Sequence, residues 1–210
     1  MTEILLIRHG VTEWNTNRVF RGRADIPLSD VGLAQARALA ARLAPEALDA
    51  LYTSPLNRAV RTAEILAAEH GLQPTMAEGL IDISYGEWEG KAEATVQVEY
   101  PESYAAWQRD PRLVRPPGGE SLTQVSFRAM EVVRELCAAH PTGRLVLVAH
   151  RVVTKIILCA VLGLQEDAFW RLRQDTCCLN IIDWQPAGPV VRLMNDTSHL
   201  AGLPPDAADF

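Results

Sequence analysis

Four consecutive apolar residues, Ile4, Leu5, Leu6 and Ile7, are followed at once by Arg8, His9 and Gly10. An apolar run of this length, bounded by polar residues, fits a strand buried on both faces of a sheet. Residues 145–149, Leu-Val-Leu-Val-Ala, repeat the pattern and end at His150. Elsewhere the period becomes helical. Ser29 precedes a helix expected over residues 30–43, with alanine and leucine spaced for one buried face. Residues 48–53 read as a strand, and Pro55 opens a helix running to about residue 70. A short strand is expected around Thr75. From 121 to about 139, Leu122, Val125, Ala129, Val133 and Leu136 recur at helical spacing. A helix over 152–162 is closed by Gly163, and two late strands, 179–184 and 190–194, pair through the turn at 185–189.

Strands alternating with helices predict an α/β fold, a three-layer sandwich whose largely parallel mixed sheet is flanked by helices. The stretch from Tyr85 to Glu120 breaks this rhythm. Its Trp88, Tyr100, Tyr104 and Trp107, and the run Pro116-Pro117-Gly118-Gly119, predict a small helical or looped cap inserted at about 86–120 of a single domain, 1–210. Trp14, Trp88 and Trp107 are read as packing residues.

Composition removes several classes of function. The chain has 210 residues, 48% hydrophobic and 22% charged, with a formal net charge of −6. An acidic balance argues against nucleic-acid and membrane-surface partners, which favour a basic face. The longest apolar run, 156–162, is too short to span a bilayer, and no signal peptide is visible. Cys137, Cys159, Cys177 and Cys178 form no CxxC pair, and are expected as buried thiols in a cytoplasmic protein. The apolar late strands and an exposed sheet edge would permit a homodimer.

Two buried strands each end in a histidine. Parallel neighbours would bring His9 and His150 to one edge of the sheet, where open α/β folds hold ligands. A histidine at a strand end is by itself an ordinary hydrogen-bonded residue, and two make coincidence harder to sustain. Ser54 and Pro55 follow another strand, and Arg58 falls in the first turn of the next helix. A helix amino terminus and an always-charged fork both suit an anion.

The ordered set Leu6-Ile7-Arg8-His9-Gly10, Thr12-Glu13-Trp14-Asn15, Arg18, Gly22, Pro27-Leu28-Ser29, Gly32, Gln35-Ala36, Ser54-Pro55-Leu56, Arg58, Arg61-Thr62-Ala63, Tyr85-Gly86-Glu87-Trp88-Glu89-Gly90, Gly119-Glu120-Ser121 and Val148-Ala149-His150 resembles the signature of the histidine phosphatase superfamily. That superfamily includes the cofactor-dependent phosphoglycerate mutases. The resemblance implies that His9 is a nucleophile that becomes transiently phosphorylated. It implies that Arg8, Arg58 and His150 line the phosphate pocket, with Asn15 as a further contact. Arg21 and Gly22 complete the expected substrate-binding set. Arg21 stands where relatives carry a smaller or neutral residue, and either reaches the substrate or is a solvated loop residue. Arg151, after His150, either lines the pocket rim or points away along its helix.

Relatives place a glutamate three residues before the Tyr/Phe-Gly pair as proton donor. Asp82 stands there in this chain, and Glu87 is the second candidate donor. The expected activity is metal-independent hydrolysis of a small phosphate ester without a cofactor. Lys91 is the only basic residue between Glu89 and Tyr104, which weighs against a phosphoglycerate mutase. The same residue types also fit a catalytically weak phosphate-binding module, or a metal hydrolase using His9, His150 and Asp82.

Overall fold

In the computed structural model, which describes residues 1–204, the expected strands assemble into one six-stranded sheet. The strands are β1 (Thr2–Arg8), β2 (Ala50–Thr53), β3 (Thr75–Met76), β4 (Arg144–Ala149), β5 (Leu179–Trp184) and β6 (Val190–Asp196), in the order β3-β2-β4-β1-β5-β6. The first four are mutually parallel, and β5 runs antiparallel to both β1 and β6. The last residues of the expected domain, 205–210, lie outside the described part.

Side chains alternate across a strand, so β1 and β4 feed two cores at once. Ile4, Leu6, Leu147 and Ala149 face one core, whereas Leu5, Ile7, Val146 and Val148 face the other. The second core is closed by α2 (Asp30–Leu43) and α3 (Asn57–Ala68), through Leu39, Leu43, Ala63 and Leu66. The first is closed by α6 (Leu122–Ala139) and α7 (Arg151–Val161), through Val125, Val133, Val153 and Ile157. This double burial explains the unbroken apolar runs read from the sequence. Ser29 caps α2 by accepting from Gly32 N at 3.2 Å, and Ser121 forms a capping box with Gln124.

The departures are at element ends. The third helix starts at Asn57, two residues after Pro55, and β3 is only two residues long. The segment read as a cap contains α4 (Glu93–Glu99) and α5 (Pro101–Arg109), and a short α1 (Glu13–Thr16) follows the first strand. Trp88 and Trp107 are fully buried and join the first core. The Trp107 ring lies 5.8 Å from Tyr85, 5.8 Å from Phe169 and 5.9 Å from Trp170, and Trp170 Nε1 donates to the Trp107 carbonyl at 2.9 Å. The packing role expected of Trp88 and Trp107 is what the structure has, while Trp14 is half-buried.

Candidate active site

The β1–β4 register continues past the strands, because His9 N donates to Ala149 O at 3.0 Å. His9 and His150 therefore leave adjacent parallel strands side by side, with ring centroids 5.1 Å apart. From the next strand, Ser54 N donates to Val148 O at 3.0 Å, which carries Ser54 to the same edge.

His9 is 1% exposed, and its Nδ1 lies 2.6 Å from Gly10 O. A carbonyl only accepts, so Nδ1 carries the proton and Nε2 presents its lone pair. The pKa of His9 is held well below 6.5 by burial first, then by the charges of Arg58, Arg8 and Arg21. Gly10 N donates to Thr62 Oγ1 at 3.2 Å, and Val11 N donates to Gln35 Oε1 at 2.9 Å. A Cβ on Gly10 would sit 2.6 Å from Gly32 O, so a glycine is what lets this loop lie against the start of α2.

Arg58 is fully buried and is held on every side. Its Nη1 donates to Ala24 O at 2.7 Å and its Nη2 to Gly22 O at 2.8 Å. Its Nε donates to His150 Nδ1 at 3.2 Å, and Nη2 meets Asp82 Oδ2 at 3.2 Å. With Nδ1 accepting from a guanidinium, the proton of His150 belongs on Nε2, which bonds Ser54 Oγ at 2.7 Å. Burial, then Arg58, also holds His150 well below 6.5, so both rings are neutral at pH 7. Gly22 has φ +51, and a Cβ there would lie 2.4 Å from Glu89 Oε1, which explains a glycine at that position.

Asp82 is 6% exposed, 3.7 Å from His150 Nδ1 through Oδ2, and accepts from Ile83 N through Oδ1 at 3.0 Å. Burial raises its pKa above 3.8 against the opposing charges of Arg58 and Arg21. Glu87 is elsewhere. It is exposed and accepts from the Tyr100 hydroxyl at 2.8 Å.

Arg8 is fully buried, and its Nη1 donates to Gln174 O at 2.6 Å. Arg21 is 7% exposed and charges the surroundings of His9, His150, Arg58 and Asp82, so the solvated-loop reading is wrong. Arg151 is also buried and turns toward Tyr85 rather than along its helix to solvent. Asn15 is buried within α1, where its Oδ1 accepts from Thr12 N at 2.9 Å and Thr12 Oγ1 at 2.8 Å. The α3 amino terminus differs from expectation. Its Asn57 N donates to Asp25 Oδ1 at 2.7 Å, so the protein's own carboxylate already takes the anion position there.

Thr62, Ser54, Gln35 and the Gln174 carbonyl are supports whose roles the sequence did not show. Thr62 was visible only as part of an ordered motif, because its partners are 4 and 52 residues away. Among the described residues, no three His, Cys, Asp or Glu side chains are grouped to hold a metal.

The sequence profile of the histidine phosphatase superfamily (branch 1) matches residues 4–197. Phosphoserine phosphatase 1 of Hydrogenobacter thermophilus is 34% identical over 200 residues, covering 95% of both chains. The Yersinia pestis protein named Probable phosphoglycerate mutase GpmB is 31% identical over 206 residues, again with 95% of both chains. Among solved structures, Bacillus stearothermophilus YhfR superposes with a TM-score of 0.92 at 31% identity, over 95% of this chain and 100% of that one. A profile matched almost end to end, on a sheet edge carrying the same ordered motifs, means that the chain belongs to the histidine phosphatase superfamily.

Proposed function

We propose that the protein hydrolyses a small phosphorylated metabolite through a phosphohistidine at His9. The carrying observation is the 2.6 Å bond from His9 Nδ1 to Gly10 O, which leaves Nε2 as a neutral, oriented nucleophile. His9 Nε2 attacks phosphorus, the bond to the leaving oxygen breaks, and protonated Asp82 supplies that oxygen with its proton. Water then attacks the phosphohistidine, the P–N bond breaks, and the Asp82 carboxylate takes the proton from the water. Arg8, Arg58 and His150 meet the charge of the transferring phosphoryl group, with Asn15 and Arg21 at its margin. Gly22 serves the site by holding Arg58. Preorganised cations supply the electrostatic stabilisation, so the route needs no metal.

The segment 86–120 is read as the cap that bounds the substrate. Three of its four basic residues are engaged within it, and the fourth, Arg109, is exposed. Lys91 bonds Glu99, Arg112 Nη2 meets Asp110 at 2.7 Å, and Arg115 Nε donates to Gly119 O at 2.8 Å. This favours transfer to water over return of phosphate to a second hydroxyl. A mutase remains the second reading, on the name of the Yersinia pestis relative. Four buried, free thiols support a reducing, cytoplasmic setting.

A phosphomonoester panel decides the matter, scored for released phosphate and for phosphate transfer between the two phosphoglycerate hydroxyls. His9→Ala abolishes hydrolysis throughout the panel. Activity that survives His9→Ala, or that disappears with a chelator, overturns the proposal. Binding without turnover assigns the chain as a phosphate-binding module instead.

A further inference from the structure

Asp82 is carried by a segment without regular structure. Residues 81–85 form neither helix nor strand, and they follow a single helical turn, Glu78–Leu80. An aspartate carboxyl stands one methylene from its Cα, so the backbone sets its place and the side chain adds only a short swing. Asp82 Oδ1 accepts from the adjoining Ile83 N at 3.0 Å, a bond that orients the carboxyl within the loop without fixing the loop.

The loop is fixed from α6. Arg128 spreads its guanidinium over three backbone carbonyls there. Its Nη1 donates to Gly79 O at 2.8 Å and to Ile81 O at 2.6 Å, and its Nη2 donates to Asp82 O at 3.1 Å. The other side of the fork meets Glu120, with Nε 3.0 Å from Oε1 and Nη2 3.0 Å from Oε2. These bonds use all of the N–H groups a guanidinium has, in one rigid plane. A Cβ on Gly79 would lie 2.4 Å from Val132 and 2.7 Å from Arg128 O, so a glycine lets the loop close on α6.

Glu120 braces the same loop from the other side. Its Oε2 accepts from Ser84 N at 2.9 Å, and its own N donates to Ser84 O at 2.8 Å. Arg23 belongs to the loop that wraps Arg58. Its Nη2 meets Glu120 Oε1 at 3.1 Å, and its Nε donates to Asp82 O at 3.4 Å. The backbone of 79–84 is thus tied to α6 and to the Arg58 loop at once.

We propose that Arg128, braced by Glu120 and Arg23, is the positioning residue for the proton donor, holding the Asp82 carboxyl beside Arg58 and His150. The inference rests on the phosphatase reading above and adds the group that sets its acid. Arg128 acts through Asp82 and is not itself a catalytic residue. Its removal therefore matters most where the leaving oxygen needs a proton. An alkoxide takes the Asp82 proton as the P–O bond breaks, whereas p-nitrophenolate is stable enough to leave without it.

The experiment measures kcat/KM, which covers the steps through phosphoenzyme formation, on two esters. One is p-nitrophenyl phosphate, and the other is the alkyl ester turned over fastest in the phosphomonoester panel. Asp82→Asn is expected to lose about 10²- to 10⁴-fold on the alkyl ester, and at least about tenfold less on the aryl ester. Arg128→Met is expected to lose about 10- to 100-fold on the alkyl ester and several-fold less on the aryl ester. In the double variant, the bias between esters stays that of Asp82→Asn alone, because both changes act through one carboxyl.

Equal loss on both esters in Arg128→Met makes its role merely structural and overturns the proposal. So does an alkyl-specific loss that adds in full to that of Asp82→Asn, or an Asp82→Asn variant without bias. If Arg128→Met does not fold, Glu120→Gln is read in the same way, since it keeps an acceptor for Ser84 N and removes the charge that braces Arg128. Failure of the phosphatase reading is distinct, since it shows as hydrolysis indifferent to His9→Ala for both esters.

Discussion

A carboxyl on a short side chain has to be brought to its substrate by the backbone. Asp82 sits where relatives carry glutamate, and the chain after Leu80 delivers it to within 3.2 Å of Arg58 and 3.7 Å of His150. With His9 held below 6.5 and Asp82 above 3.8, the reactive pair of neutral imidazole and protonated acid is most populated on the acid side of neutrality. The pH profile of kcat/KM is therefore expected to peak below pH 7. In Asp82→Asn, phosphoenzyme formation slows by about 10²- to 10⁴-fold, the alkaline limb disappears, and affinity for inorganic phosphate is kept. A rapid-quench assay reads the first effect, and the same loss in Glu87→Gln with none in Asp82→Asn would move the acid to Glu87. The two histidines also link pH to stability. Unfolding frees each ring to take a proton near pH 6.5, whereas the folded rings resist it, so their contribution is full above that pH and lost as pH falls toward the folded values. Asp82 acts in the opposite sense, favouring the fold as pH falls through its raised pKa. Tm of His150→Gln is accordingly expected to change less than that of the native protein between pH 7 and pH 5, and an unaltered slope would refute this linkage.

At the scale of elements, the site is built where strands stop. The ends of β1, β4 and β2 deliver His9, His150 and Ser54, and the loop at residues 20–24 wraps Arg58 with backbone carbonyls. Gly22 lets that loop turn. Gly22→Ala would combine the left-handed backbone at φ +51 with a contact against Glu89, so a loss of about 1–3 kcal/mol is expected, together with weaker phosphate binding. Denaturant unfolding and phosphate titration measure the two, and full retention of both would show that the loop adapts. The strand ends were legible because unbroken apolar runs stop abruptly at charged residues. The wrapping loop was not, since backbone carbonyls leave no mark on the residue types that supply them. The α3 amino terminus shows the same limit: Asn57 N meets Asp25 from 32 residues away, which no local pattern displays.

Across the whole molecule, two cores on opposite faces of one sheet hold the edge in place, and the segment 86–120 shares the core of α6 and α7. Trp107 joins Tyr85, Trp88, Phe169 and Trp170, so it ties the 86–120 segment to the short helical turn Glu166–Arg171 that follows α7. Trp107→Ala is expected to cost about 3–5 kcal/mol by urea unfolding. A loss under about 1 kcal/mol would mean that the segment 86–120 packs independently. The sequence by itself determined the α/β class, the two buried strand ends and the ordered motif that names the family, because periodicity and residue type are local properties. It also placed Arg21 and Arg151 beside the key residues, leaving their direction open. Only the tertiary structure decided that Asp82 lies against Arg58 and His150, that Glu87 turns to Tyr100, and that Arg21 and Arg151 are buried. Those outcomes depend on burial and on contacts between distant segments, and they exist only once the sheet has brought its strand ends together.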